Sequence, residues 1–234
     1  MEYIFAGVKE AFRIIFTFDA QFLRIVFTSI RVSTSATLLS VLFGVPLGIF
    51  LAEKKFFGRD TLVVIINTLM SIPTVVVGLM LYSFLSRRGP LGEMGLLYTS
   101  AAMIIGQFVL ILPIITGLTI TAIQSLDGRV RKTIWSMGAD YKQGLIMFLH
   151  EARYGILAAV VVGFGRAFSE IGISMMLGGN IRGYTRNITT AIALETSKGE
   201  FALGISLGVV LLAISLVINL IFTQLQKRAK YELL

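Results

Sequence analysis

Residues 94–126 read MGLLYTSAAMIIGQFVLILPIITGLTITAIQSL and contain no Asp, Glu, Lys, Arg or His. A helix rising about 1.5 Å per residue needs roughly 20 apolar residues to cross the hydrocarbon layer of a membrane, and this interval is longer than that. Four more intervals resemble it. Val32–Ala52, Thr61–Ser86 and Phe201–Gln226 are free of charge, and Tyr154–Ile181 is apolar except for Arg166 and Glu170. The spacing predicts five spanning helices. Composition agrees, since the 234 residues are 56% apolar and only 15% charged, with a mean hydropathy of +0.84. Soluble domains sit near ~45–50% apolar and ~25% charged, so a soluble enzyme is excluded. The fold class is therefore all-α, a polytopic membrane protein.

The first twenty residues differ. Ile4, Val8, Ala11, Phe12 and Ile15 keep the helical period, while Lys9, Glu10 and Arg13 fall on other faces. Residues 1–20 are expected to form an N-terminal interfacial helix, and 21–234 the transmembrane domain. A secretory signal is the competing reading, but it lacks a basic start and a small-residue cleavage site. With an odd number of spans the termini lie on opposite sides. Lys54, Lys55 and Arg59, then Arg129, Arg131 and Lys132, abut helix ends in short loops. By the positive-inside bias this places the N-terminus outside and the C-terminus in the cytoplasm.

Several chemistries are missing. The sequence has no cysteine and one histidine, His150, so thiolate and histidine metal clusters are excluded. Gly-Lys never occurs, so the chain has no P-loop. Gly204-Ile-Ser206-Leu-Gly208 spells GxSxG inside an apolar span, without the strand and nearby histidine that a nucleophile elbow needs. The net charge of +8 points to anionic headgroups of the lipid bilayer and not to nucleic acid. Gly44 and Gly48, and Gly204 and Gly208, are small-xxx-small pairs, serving either internal packing or a subunit interface. Pro46, Pro73 and Pro113 lie within spans and favour kinks.

Three polar stretches carry the functional information. In 127–153, Val130, Ile134, Trp135 and Met137 recur at helical spacing up to Gly138, which can end a helix in the left-handed conformation; Asp140 can then cap a second helix. The result is either a helix-turn-helix projecting toward another protein or an amphipathic loop on the headgroups. Arg166 and Glu170 are four residues apart, hence one turn apart in a span, where ionisable groups are costly and functional by default; a self-neutralising structural pair is the alternative. Gly178-Gly-Asn180 and Arg182-Gly-Tyr-Thr185-Arg186 follow, as a donor-rich pathway mouth or as an ordinary loop.

From about Phe22 onward the chain resembles the permease subunits of ATP-binding-cassette importers for tetrahedral oxyanions, of the type I fold. The matching pieces are Ser71-Ile-Pro-Thr-Val-Val-Val-Gly78, Arg87-Arg88-Gly89, Met137-Gly138-Ala139 and Arg166 through Asn180. Gly165-Arg-Ala-Phe-Ser-Glu-Ile-Gly-Ile-Ser-Met-Met-Leu-Gly-Gly-Asn180 looks most like the tungstate branch, with molybdate and sulfate permeases as alternatives. The resemblance implies a translocation pathway or gate at Arg166, Ser169, Glu170, Gly172, Asn180 and Thr185. It implies a cytoplasmic coupling helix at Lys132, Trp135, Met137, Gly138, Ala139, Asp140 and Tyr141. It also implies a homodimer, two ATPase subunits that bind ATP and Mg, and an extracytoplasmic oxyanion-binding protein, all at a prokaryotic inner membrane. The chain itself is expected to hold no cofactor and to catalyse nothing. The sequence departs from the superfamily pattern of Glu-Ala-Ala, Gly and Leu-Pro in the loop. Lys132, Thr133 and Ile134 stand at the first positions, and Leu149-His150 brings no proline. A gradient-driven secondary transporter, which would be expected to carry an internal repeat, is the rival from another class.

Overall fold

Apolar intervals become helices because hydrocarbon offers backbone amides no other partner than the chain itself. The computed structural model describes residues 7, 9, 13 and 20–231, so the interfacial helix expected over 1–20 lies almost wholly outside the described residues. Among these residues there are ten α-helices, one short 3-10 turn (Gly92–Met94) and no strand. They are α1 (Ala20–Glu53), α2 (Arg59–Leu69), α3 (Thr74–Leu85), α4 (Ser100–Gln124), α5 (Gly128–Ser136), α6 (Tyr141–Glu151), α7 (Arg153–Phe168), α8 (Gly172–Gly178), α9 (Ile188–Ser197) and α10 (Phe201–Tyr231). Three of them, α1, α4 and α10, are long and apolar enough to cross a membrane alone. Length and composition allow at most five spans, if each bent pair, α2–α3 and α6–α7, is taken as one.

The span boundaries differ from the sequence expectation in three places. α1 begins at Ala20, twelve residues before Val32, and so carries Arg24 and Arg31 on exposed positions. The interval Thr61–Ser86 is two helices meeting at 101°, because Pro73 cannot donate a backbone hydrogen bond and stands as the extended N-cap of α3. α1 and α4 run unbroken through Pro46 and Pro113. The interval Tyr154–Ile181 is not one helix either. α7 stops at Phe168, Ser169 to Ile171 break it, and α8 resumes for two turns.

α1 and α4 form the scaffold. A Cβ on Gly48 would come within 2.7 Å of Thr119 and 2.9 Å of the Thr116 carbonyl oxygen, so only glycine lets α1 approach α4 this closely. This pair of small residues packs within the chain. Of the second pair, Gly204 meets Thr196 of α9, whereas no described residue lies within 4 Å of where a Cβ on Gly208 would stand. Ile49 and Leu51 of α1, Ile115 and Ile123 of α4, Ile134 of α5, Phe148 of α6 and Ile156 of α7 share one core. The loop 127–153 is therefore rooted where α1 and α4 both end. A second core joins α3, α4 and α8 through Val77, Ile111, Ile173 and Leu177. A third joins α1, α9 and α10 through Ile25, Ile188 and Leu207. Several hydroxyls within the spans bond to the carbonyl four residues earlier, as Thr37 does to Ser33 and Thr119 to Ile115, so they pack among apolar groups without an orphan donor.

Candidate functional site

The loop 127–153 is a helical hairpin. Asp127 caps α5 by accepting from the Arg129 amide at 2.8 Å, and its hydrogen bonds with Arg129 hold its carboxyl below the usual carboxylate range. α5 ends where expected, with Gly138 at φ +74°, and Asp140 starts α6 with a reciprocal capping box: its Oδ1 accepts the Gln143 amide at 2.7 Å while Gln143 Oε1 accepts the Asp140 amide at 2.9 Å. The sequence-predicted residues then divide. Lys132, Met137, Gly138 and Asp140 are exposed along the outer side and tip, with Met137 68% exposed. Tyr141 is the first residue of α6. Ala139 is half-buried against the core. Trp135, expected to face another protein, turns inward: its ring lies 6.0 Å from Phe148, and its Nε1 donates to Glu53 Oε2 at 3.2 Å. An indole this apolar packs on the chain's own second leg.

The charge pair lies at a helix break. Arg166 is in the last turn of α7, Ser169 is its C-cap, and Glu170 stands just past the end. Arg166 Nη1 donates to Glu170 Oε2 at 2.7 Å, with side chains 37% and 2% exposed respectively. The two members are thus unequal, since Glu170 is walled in while Arg166 faces outward. Glu170 Oε1 also accepts the Ile173 amide at 3.1 Å, and its backbone oxygen accepts the Thr189 hydroxyl at 2.8 Å. The Ser169 hydroxyl bonds back to Gly165 O at 2.9 Å. Gly172 brings the two broken spans together, because a Cβ there would sit 3.2 Å from Thr74 Oγ1 at the start of α3 and 3.3 Å from Glu170 Oε1. Arg166, Ser169, Glu170 and Gly172 therefore form one site beside the Pro73 break.

Asn180 and Thr185 lie elsewhere, in the turn that follows. The Thr185 hydroxyl donates to Gly178 O and accepts the Ile181 amide. Asn180, at φ +50°, accepts Arg186 Nε on Oδ1 at 3.2 Å and donates to Thr190 O at 3.4 Å. Both close the loop. Sequence reading missed the buried polar groups behind the break. Asn187 Nδ2 donates to Ser174 Oγ at 3.1 Å, and Gln107 Nε2 approaches the same oxygen at 3.5 Å. Gln107 Oε1 has no hydrogen-bond partner among the described residues. A signal existed, because an amide at mid-interval in 94–126 is costly to bury and Asn187-Ile-Thr-Thr190 spells a capping box. Ser206 of the GxSxG string is buried inside α10 and bonds to Leu203 O, the behaviour of an ordinary helix serine.

Residues 44–231 match the family model for the binding-protein-dependent transport system inner membrane component. A tungstate uptake system permease protein from Peptoclostridium acidaminophilum is 41% identical over 97% of this chain and 100% of its own length. A probable anion ABC transporter permease protein from Haloferax volcanii is 38% identical over 86% of this chain and 88% of its own. The molybdenum transport system permease protein of Escherichia coli is 26% identical over 75% and 81%. Among solved structures, an inward-facing MetNI methionine ABC transporter chain covers 89% of this chain, and is itself 96% covered, with TM-score 0.75 at 18% identity, a likeness of fold alone. The long apolar helices, the rooted hairpin and the match across most of the chain converge, and the chain belongs to the family of binding-protein-dependent transport system inner membrane components.

Proposed function

We propose that this chain is the permease subunit of an ATP-driven importer of tungstate. The observation that carries this reading is the near-full-length identity with the tungstate permease of Peptoclostridium acidaminophilum, well above that with the molybdenum permease. Two copies enclose the pathway, and each receives an ATPase subunit on the exposed hairpin tip of Lys132, Met137, Gly138 and Asp140. Ala139 and Tyr141 set the tip's start into α6. ATP and Mg belong to those partners. A binding protein outside delivers the anion, and Asn180, Thr185 and Arg186 stiffen the turn that it meets.

Arg166 gives the pathway its attraction for a divalent anion. A guanidinium offers five N–H donors in a planar fork suited to oxyanions, and Glu170 takes one of its terminal nitrogens. Glu170 keeps the arginine aimed and lowers the net charge, so that the anion is drawn in but not trapped. Ser169 and Gly172 fix the backbone at the break.

The test is uptake by proteoliposomes holding the permease, its ATPase and its binding protein. ATP-dependent tungstate import is expected to resist excess molybdate and sulfate; import of molybdate in preference would overturn the substrate assignment, and uptake without ATPase the class. Orientation has its own test. The sequence has no cysteine, and Ser125 and Ser197 are both exposed at helix ends. Single cysteines there are expected to be modified by impermeant reagents from opposite faces, Ser125 from the cytoplasm. Labelling from one common face would refute an outside N-terminus with five crossings.

A further inference from the structure

Glu53 is the last residue of α1, where the helix dipole disfavours a carboxylate. Its side chain is nonetheless only 3% exposed. Two residues one turn apart on α5 hold it. Arg131 Nε lies 2.8 Å from Oε1, and Trp135 Nε1 donates to Oε2 at 3.2 Å. Among the described residues Oε1 receives no aligned N–H, so the guanidinium holds it by charge. The other faces of Trp135 are also taken. Its ring packs on Phe148 and Gly144 of α6, and Lys54 Nζ lies 5.3 Å from its centroid. Separating α5 from α1 would leave a buried carboxylate without a partner, which is far costlier than sliding one apolar face over another.

The hairpin's other attachment is a corner. α6 meets α7 at a 79° bend around Ala152. α1, by contrast, packs on α4 through Gly44 and Gly48 and leaves no room for independent movement. We infer that Glu53 is a positioning residue through which the hairpin moves α1, and α4 with it, while the α6–α7 corner absorbs the change of angle. An apolar residue at position 53 would serve packing as well or better, so the carboxylate is explained by the directional link that it makes. This inference rests on the hairpin being the ATPase docking element.

The experiment uses the complete complex in proteoliposomes and reads tungstate imported per ATP hydrolysed. Glu53→Gln is expected to retain the ATPase subunits and their stimulated hydrolysis while the import ratio falls about tenfold, within the range for substitutions along a coupling path. Trp135→Phe removes only the indole N–H and keeps the ring, so it should lower the ratio in the same direction, by less, even if Glu53→Gln assembles poorly. Cross-linking the thiols of a Glu53→Cys/Arg131→Cys variant should restore the ratio lost in its untreated form. An unchanged ratio in Glu53→Gln and Trp135→Phe, whatever their melting temperatures, would overturn the role of Glu53. The docking element is judged separately, by Met137→Glu. If that exposed substitution leaves the ATPase subunits bound and stimulated, the hairpin reading fails irrespective of Glu53.

Discussion

The double variant Arg166→Met/Glu170→Gln is expected to assemble and melt close to the unaltered protein and to import no tungstate. The two single variants separate structural from transport roles, because the pair is lopsided. Arg166→Met leaves a carboxylate that is 2% exposed with, among the described residues, the Ile173 amide alone to support it. Its cost is set on the order of 2–3 kcal/mol, below the ~3–5 kcal/mol of a fully buried pair, since Arg166 itself is 37% exposed and its charge partly screened. Glu170→Gln costs less, because the amide oxygen can still accept from Ile173 and the arginine can turn toward water. In the double variant neither charge is orphaned, so folding recovers. Uptake does not, because the attraction for a divalent anion has gone. Thermal denaturation of the purified complex and uptake in proteoliposomes measure the two halves. Full uptake by the double variant would remove these residues from the pathway.

The ease with which parts of this molecule are read from sequence follows from the range of the forces involved. Charge-free intervals report burial in lipid, a demand that acts on every residue, and so the long apolar helices were legible. Caps act over three or four residues, so Gly138 ending α5 and Asp140 starting α6 were legible too. Breaks inside apolar intervals were not, because lipid exposure treats a bent pair and a straight helix alike. Pro73 marked one of them, yet Pro46 and Pro113, equally deprived of an N–H, sit within unbroken helices. The break after Phe168 had no proline at all. There the short α8 lies against Gly106 of α4, where a Cβ would come within 2.4 Å of Ile173, and close packing of that kind depends on tertiary neighbours.

The functional site divides in the same way. Arg166 and Glu170 stood out as charges in an apolar interval, and the structure joins them directly. Glu53 did not stand out, because it closes a span among Lys54 and Lys55 and looks like one more headgroup charge. Only the fold, by laying α5 across the end of α1, turns it into a buried partner of Arg131 and Trp135. Trp135 was misdirected for a related reason: helical spacing shows that a residue lies on the apolar face, but the hairpin's own second leg, and not a foreign surface, covers that face.

Gly138→Val is expected to uncouple ATP hydrolysis from transport while leaving the permease folded. At φ +74° the backbone occupies the left-handed region, where a side chain costs about 1–2 kcal/mol and a β-branched one is an outlier. No described residue lies within 4 Å of the position a Cβ would take, so the substitution meets no clash among them and acts on the turn itself. A penalty of about 1.4 kcal/mol corresponds to a tenfold loss in the population of the native tip. Releasing that strain would pull Met137 and the Asp140 cap out of register, so the ATPase would meet a displaced surface. A series of residues separates conformation from bulk. Asparagine tolerates the left-handed region and should retain the most uptake, alanine less, and valine the least. Equal retention of ATPase subunits and equal uptake by glycine and valine would dissociate the turn from coupling. Asparagine failing as badly as valine would instead place the requirement in a contact too tight for any side chain, with the partner's surface pressed against the Gly138 backbone itself.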